Sequence, residues 1–366
     1  MLKSKILLID YIGQSNDRGQ PVGHSVKTLK ETQELLDGII KAELIIPLSY
    51  EREFSIGKKE IAHFLKYHSF INANGIYDRV SGLWRKLNNL IRVFKSVNKD
   101  EILWFVHPDF FLFAFLFFYP FKIKNITLIT MYMEGFNPGN TVRERIKNYF
   151  FKHTIQKVDL VVKNSAKIRV SKKEIFCPDY LYKEDRYKPY AREKEEYILC
   201  TGVMNRAKDL VNVIKAWRHY NGTLKLKIDG FFPDKKMLSE IETYAGDKIE
   251  ITDRYLTLNE YYNNIAGAKF TLLSYKKSKY AKRTSGILLE SIFLDTPVIA
   301  PGFLLDYTEL PGIAYEKLAD IVSILNEFDE QKSKELKKKM HNIRKEYSFE
   351  TMKKRIAAAL KKVTAT

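Results

Sequence analysis

The chain has 366 residues and a mass of 42.9 kDa, more than one small module needs and in keeping with two domains of ordinary size. Hydrophobic residues make up 45% and charged residues 29%, which excludes a disordered or fibrous chain. A formal net charge of +18 points to anionic company: nucleic acid, phosphorylated ligands or a lipid surface.

Two cysteines, Cys177 and Cys200, cannot build a disulfide framework, and no Cys/His cluster has metal spacing. A reducing compartment is therefore expected. The opening MLKSKILLIDYIGQ lacks a small-residue cleavage site and reads as a first strand, Ile6–Asp10, rather than a signal peptide. A loop with Gly13, Gly19, Pro21 and Gly23 follows, then a helix over Val26–Ile40 and a strand at Leu44–Pro47. Val80–Val97 has the spacing of an amphipathic helix, with Trp84, Leu87, Leu90, Ile91 and Phe94 apolar and Arg85, Lys86, Arg92 and Lys95 interspersed. That pattern suits an interfacial helix and an ordinary surface helix equally. Ile102–Val106 is a strand. The apolar run Phe110–Phe121, broken at Pro120, is too short for a span of about 20 residues; Phe110–Phe118 reads as a buried helix. Ile126–Met131 and Val158–Val162 complete a first set of strands.

Residues Tyr182–Glu196 are charged and proline-containing and read as a linker. After them the alternation restarts. Strands are expected at Tyr197–Thr201, Leu224–Ile228, Ile249–Thr252, Phe270–Ser274 and Pro297–Ala300. Helices are expected at Lys208–Tyr220, Met237–Tyr244, Leu258–Ala266 and Ile287–Leu294. Strands alternating with helices argue an α/β architecture with parallel sheets covered on both faces, built twice. From Gln331 to Lys362, twelve lysines and arginines face three glutamates without a proline, which reads as two basic helices.

The window Tyr280–Pro301 carries the most chemistry. Thr284 or Ser285 can cap a helix, and Gly286 opens its backbone to close approach. Free amides at a helix start make an anion site, with Lys282 and Arg283 beside it. Glu290, among Leu288, Leu289, Ile292 and Phe293, would be costly to bury without a partner.

Ser285-Gly286, Glu290 and Thr296–Ile299 resemble the donor-site signature of glycosyltransferases with the GT-B fold, and most nearly the family 4 (group 1) enzymes. Thr201-Gly202 with Lys208-Asp209-Leu210 and Ala216, Ile228-Asp229-Gly230, the stretches Ile251–Tyr255, Glu260–Tyr262 and Ala266–Ser274, and Tyr347-Ser348-Phe349 resemble, in order, other motifs of that family. The resemblance implies two Rossmann-like doubly wound domains, at 1–185 for the acceptor and 186–345 for the nucleotide sugar, with a crossover helix at 346–366. It implies transfer of a hexose from a nucleotide-diphosphate sugar, uridine diphosphate being the usual carrier. A saccharide acceptor, lipid-linked in surface polysaccharide or glycoconjugate synthesis, fits the basic excess, which suits the inner face of a cell membrane. No metal or other cofactor is expected, because Lys, Arg and the helix start neutralise the departing diphosphate.

Carried over residue by residue, the resemblance places Gly202, Lys208, Lys282, Arg283, Thr284, Ser285 and Gly286 at the donor and Glu290 on its ribose. Val203 stands where the family has arginine, and Arg206 is the available substitute. Lys282 stands where the family has the first glutamate of its Glu-x7-Glu pattern, a charge reversal that counts against the retaining mechanism. Glu134, in Glu134-Gly135 after an expected strand, then becomes the general base that inversion requires; its plain alternative is to cap the turn that follows. Arg18, Gly19, His24 and His107 fall on the acceptor side. The competing expectation is a catalytically silent or nucleic-acid-binding subunit, although no RNA- or DNA-binding module is visible.

Overall fold

Ile6–Ile9 are four buried apolar residues in succession, the pattern of a strand covered on both faces. This strand, β1, begins a computed structural model that describes residues 5–15, 25–51, 54, 61–67, 69–70, 76–119, 125–132, 141–171 and 173–365. The chain divides into two units, Met1–Asp179 with Met352–Thr366, and Tyr180–Thr351.

In the first unit β1 is followed by β2 (Gln14–Ser15), α1 (Ser25–Leu36), β3 (Ala42–Pro47), β4 (Ile61–Leu65) and β5 (Ser69–Phe70). Then come α2 (Ile76–Ser96), β6 (Ile102–Phe105), α3 (Phe110–Phe118), β7 (Thr127–Met131), α4 (Val142–Ile155), β8 (Leu160–Lys163) and β9 (Glu174–Phe176). Seven strands form one parallel sheet in the order β4-β3-β1-β6-β7-β8-β9. Leu90 and Val93 of α2, Leu112, Phe113 and Leu116 of α3, and Phe151 and Ile155 of α4 share one core with Leu7, Ile9, Phe105 and Ile129. The three helices thus form one layer on one face of the sheet. β4, β9 and α4 are absent from the sequence reading. The apolar residues of α4 ring the helix instead of marking one inward stripe, so periodicity does not announce it. The expected burial of Phe110–Phe118 holds for the inner residues, but Phe118 is 68% exposed.

The second unit contains α5 (Glu184–Tyr187), β10 (Glu195–Thr201), α6 (Leu210–Trp217), β11 (Lys225–Gly230), α7 (Lys235–Glu242), β12 (Ile249–Asp253) and α8 (Leu258–Gly267). It continues with β13 (Ala268–Leu272), α9 (Lys277–Tyr280), α10 (Gly286–Phe293), β14 (Val298–Pro301), α11 (Gly302–Thr308), β15 (Ile313–Tyr315), α12 (Asp320–Glu327) and α13 (Glu330–Glu346). Its parallel sheet runs β12-β11-β10-β13-β14-β15. In chain order that is 3-2-1-4-5-6, the doubly wound arrangement in which ligands sit beyond the carboxyl ends of the strands where the order reverses. Tyr182–Glu196 is more than a linker: it carries α5, and Tyr187 is buried against Tyr262 and Phe293. The last helix, α14 (Phe349–Thr364), groups with the first unit from Met352 onward. α13 and α14 are the two helices expected of the basic tail.

Candidate functional site

At the reversal point of the second sheet, β10 ends in Thr201 and turns at Gly202, whose φ of +89° is a conformation that L side chains rarely adopt. The end of β11 approaches this turn so closely that a Cβ on Gly230 would lie 2.0 Å from the Gly202 carbonyl oxygen. Two glycines from separate motifs therefore make one tight corner. The segment after the turn is zipped to the loop beyond β13: Asp209 N–H donates to the Ser274 carbonyl at 2.7 Å and Lys276 N–H to the Ala207 carbonyl at 2.9 Å.

This pairing drives Lys208 inward. Its side chain is 7% exposed, and Nζ donates to the Thr201 carbonyl at 2.6 Å and to Met204 Sδ at 3.6 Å. Neither partner is anionic, and burial lowers its pKa to about 8. A Cβ on Gly202 would meet Lys208 Nζ at 3.7 Å and Ile287 Cδ1 at 3.2 Å. The ammonium therefore stands beside the Gly202 turn and the first turn of α10. Buried ammonium, glycine turn and helix start together form a positively polarised pocket edge suited to a phosphate group.

Ser285, and not Thr284, caps α10: its Oγ accepts from Leu288 N at 3.4 Å and lies 3.1 Å from the Tyr275 hydroxyl. Lys282 and Arg283 are exposed on the loop before it. The space beside Gly286 is taken by protein, since a Cβ there would lie 2.4 Å from the Tyr180 hydroxyl; packing by itself is enough to require a glycine here. Arg206 pairs with Asp234 at 2.6 Å, tying the loop after β10 to the cap of α7.

Glu290 is 6% exposed and accepts from Tyr261 at 2.8 Å and Tyr262 at 3.3 Å, both on α8. The protein thus supplies partners that the sequence reading assigned to a ribose. Glu290→Ala should cost about 1–3 kcal/mol by stranding buried hydroxyls. Chemical denaturation measures this, and an unchanged midpoint would refute a structural role for the tyrosine pair.

A second cluster occupies the reversal point of the first sheet. Asp10, which follows β1, is 1% exposed and accepts from the backbone of Ile12 and Gly13 at 3.0 and 3.1 Å and from the Tyr50 hydroxyl at 3.2 Å. Burial opposes its ionisation, but His107 and these two amides outweigh burial and lower its pKa. His107 Nδ1 stands 3.5 Å from Asp10 Oδ2, and the ring stacks on Tyr132 at 5.8 Å. The sequence reading does not single out Asp10 or Tyr132 as site residues; the one available signal is that the acid closes an apolar strand run. Arg18, Gly19, His24 and Glu134 lie outside the described residues.

Burial raises the thiol pKa of both Cys177 and Cys200 to about 12, which leaves them poor nucleophiles. Among the described residues no group of three or more His, Cys, Asp or Glu could hold a metal ion, and no helix is long and apolar enough to cross a membrane.

No family model and no curated protein matches the sequence. Solved structures do match over nearly the whole chain. An α,α-trehalose-phosphate synthase (UDP-forming) from Burkholderia vietnamiensis is 10% identical, with a TM-score of 0.68 and coverage of 99% of this chain and 98% of that one. HepE of Anabaena, solved with UDP-glucose, is 11% identical, with a TM-score of 0.63 and coverage of 98% and 99%. The N-terminal domain of a trehalose-6-phosphate phosphatase from Candida albicans is 10% identical, with a TM-score of 0.67 and coverage of 98% and 97%. The chain shares their GT-B α/β fold.

Proposed function

We propose that this protein is a glycosyltransferase that binds a nucleotide-diphosphate sugar at the Gly202–Lys208–Ser285 edge of its second unit. The observation that carries the reading is Lys208, a buried ammonium whose hydrogen-bond partners are a carbonyl and a thioether. A desolvated cation next to a glycine turn and a helix start is costly on its own and becomes favourable when a diphosphate arrives. The shared fold with a UDP-forming synthase and with a protein solved with UDP-glucose supports uridine diphosphate as the carrier. Lys282, Arg283 and Thr284 on the loop before α10 complete the proposed donor side, with Arg206 more remote at Asp234.

The finer reading is a family 4-like hexosyltransferase that needs no metal. It transfers to a saccharide on a lipid carrier for surface polysaccharide or glycoconjugate synthesis, at the inner face of the cell membrane. The family 4 likeness rests on the order of motifs from Thr201 to Ile299. Glu134, three residues past the end of β7, is the proposed base for an inverting transfer. The pair Asp10–His107 supports a second candidate, because a buried carboxylate can orient an imidazole for proton abstraction.

Thermal shift against UDP, ADP, GDP and UDP-glucose tests the donor. A ligand at about a hundredfold excess over its Kd adds about 2.7 kcal/mol, so a clear rise in Tm with UDP and UDP-glucose is expected. The rise should persist in EDTA if Lys208 and the helix start replace a metal. No shift with any nucleotide would favour the silent-subunit reading that Lys282 suggests.

A further inference from the structure

The helix layer α2–α3–α4 of the first unit carries large apolar side chains on both sides. Its inner side fills the core under the sheet. On α4, Val142, Ile146 and Tyr149 are 73%, 49% and 53% exposed. Their spacing places them on one stripe, on the opposite side of the helix from buried Phe151, Thr154 and Ile155. Phe118, at the end of α3, packs on Phe150 of α4 at 5.2 Å and extends that stripe. On α2, Val80, Leu83 and Trp84 are 60%, 50% and 52% exposed. Large apolar side chains shown together on one layer mark an interaction surface.

The charges around these stripes decide what covers them. α4 carries Arg143, Arg145, Lys147 and Lys152 against one acid, Glu144, and Glu144 is engaged in a capping box with Thr141. Arg92 and Lys95 are exposed on α2. A second copy of this chain would bring like charges together, whereas a surface of anionic headgroups over an apolar interior complements both features.

We propose that the outer face of the α2–α3–α4 layer lies on an anionic lipid bilayer, with Phe118, Ile146, Tyr149 and Trp84 entering the interface and the flanking arginines and lysines meeting the headgroups. The inference deepens the membrane-adjacent part of the reading above and does not depend on sugar transfer. The surface uses three neighbouring helices, of which the sequence pattern marked α2 as suited to an interface.

Trp84 makes the test direct, because Trp104 and Trp217 are each only 2% exposed. The full chain is mixed, without nucleotide, with vesicles of phosphatidylcholine alone or of phosphatidylcholine with phosphatidylglycerol. Partition is read by sedimentation and Trp84 burial by emission wavelength. Binding with a blue shift is expected only on the phosphatidylglycerol vesicles. The double variant Ile146→Asp, Tyr149→Ser and the charge reversal Arg145→Glu, Lys152→Glu should each weaken partition by about tenfold or more. All these side chains are solvent-facing, so thermal melts should stay near that of the parent and separate lost docking from lost folding. Absence of partition by a folded parent would overturn the proposal. So would partition that the apolar variant leaves intact, or light scattering that shows a dimer dispersed by Ile146→Asp. UDP binding measured on the same samples keeps failure of this surface distinct from failure of the donor site.

Discussion

The Lys208→Met protein should melt no lower than the parent, and by up to about 3 kcal/mol more stably, while binding UDP about 10- to 100-fold more weakly. The first effect follows from burial. In the folded chain the Lys208 pKa falls to about 8 from 10.5, so at neutral pH the native state holds a proton less tightly than the unfolded chain does. A shift of that size corresponds to about 3 kcal/mol of destabilisation. The sign is opposite to that of a salt-bridged lysine: stability should rise with pH between about 8 and 10.5, and methionine removes that dependence. Loss of the hydrogen bond to Thr201 offsets part of the gain. The second effect follows from charge-assisted hydrogen bonds to phosphate, worth about 1.5–3 kcal/mol. In the parent, UDP affinity should fall as pH rises past about 8, because the free protein loses the charge that meets the diphosphate. Calorimetric titration at several pH values measures both. Unchanged affinity in Lys208→Met would show that the diphosphate binds elsewhere.

Glu134→Gln is expected to lower turnover by about 10²–10⁴-fold while donor affinity holds, since a general base acts on the acceptor proton and leaves the diphosphate contacts alone. His107→Asn separates the two candidate bases. If the Asp10–His107 pair is the base, the large loss appears in that variant and Glu134→Gln retains most activity. The anomeric configuration of the product, compared with that of the donor by NMR, gives an independent reading. Direct inversion requires a general base, the role proposed for Glu134 or His107. Retention together with full activity of Glu134→Gln would remove the proposed role and restore the retaining pattern despite Lys282.

The two α/β units and most of their strands are readable from the chain because buried parallel strands are nearly continuous apolar runs, as in Ile6–Ile9 and Val298–Pro301. The short edge strand β9, with half-buried residues, lacks that signal. α4 escapes for the opposite reason. Its apolar residues point both inward and outward, so no single stripe stands out. The site divides in the same way. Gly202, Lys208 and Ser285 form recognisable local motifs, whereas Asp10 and Tyr132 are ordinary residues until β1, β6 and β7 bring their ends together.

What the sequence determined by itself is the alternation of elements and the presence of a helix cap at Thr284 or Ser285, since these depend on residues a few positions apart. Tertiary structure decided the rest. Lys208 becomes a buried cation only because residues 207–209 pair with 274–276 across the sheet edge. Glu290 receives two tyrosine hydroxyls only because α8 and α10 lie side by side. The apolar residues of α3 and α4 become a surface only after the layer has spent its inner face on the sheet. Desolvation and partner choice depend on neighbours distant in sequence, and local patterning carries no record of them.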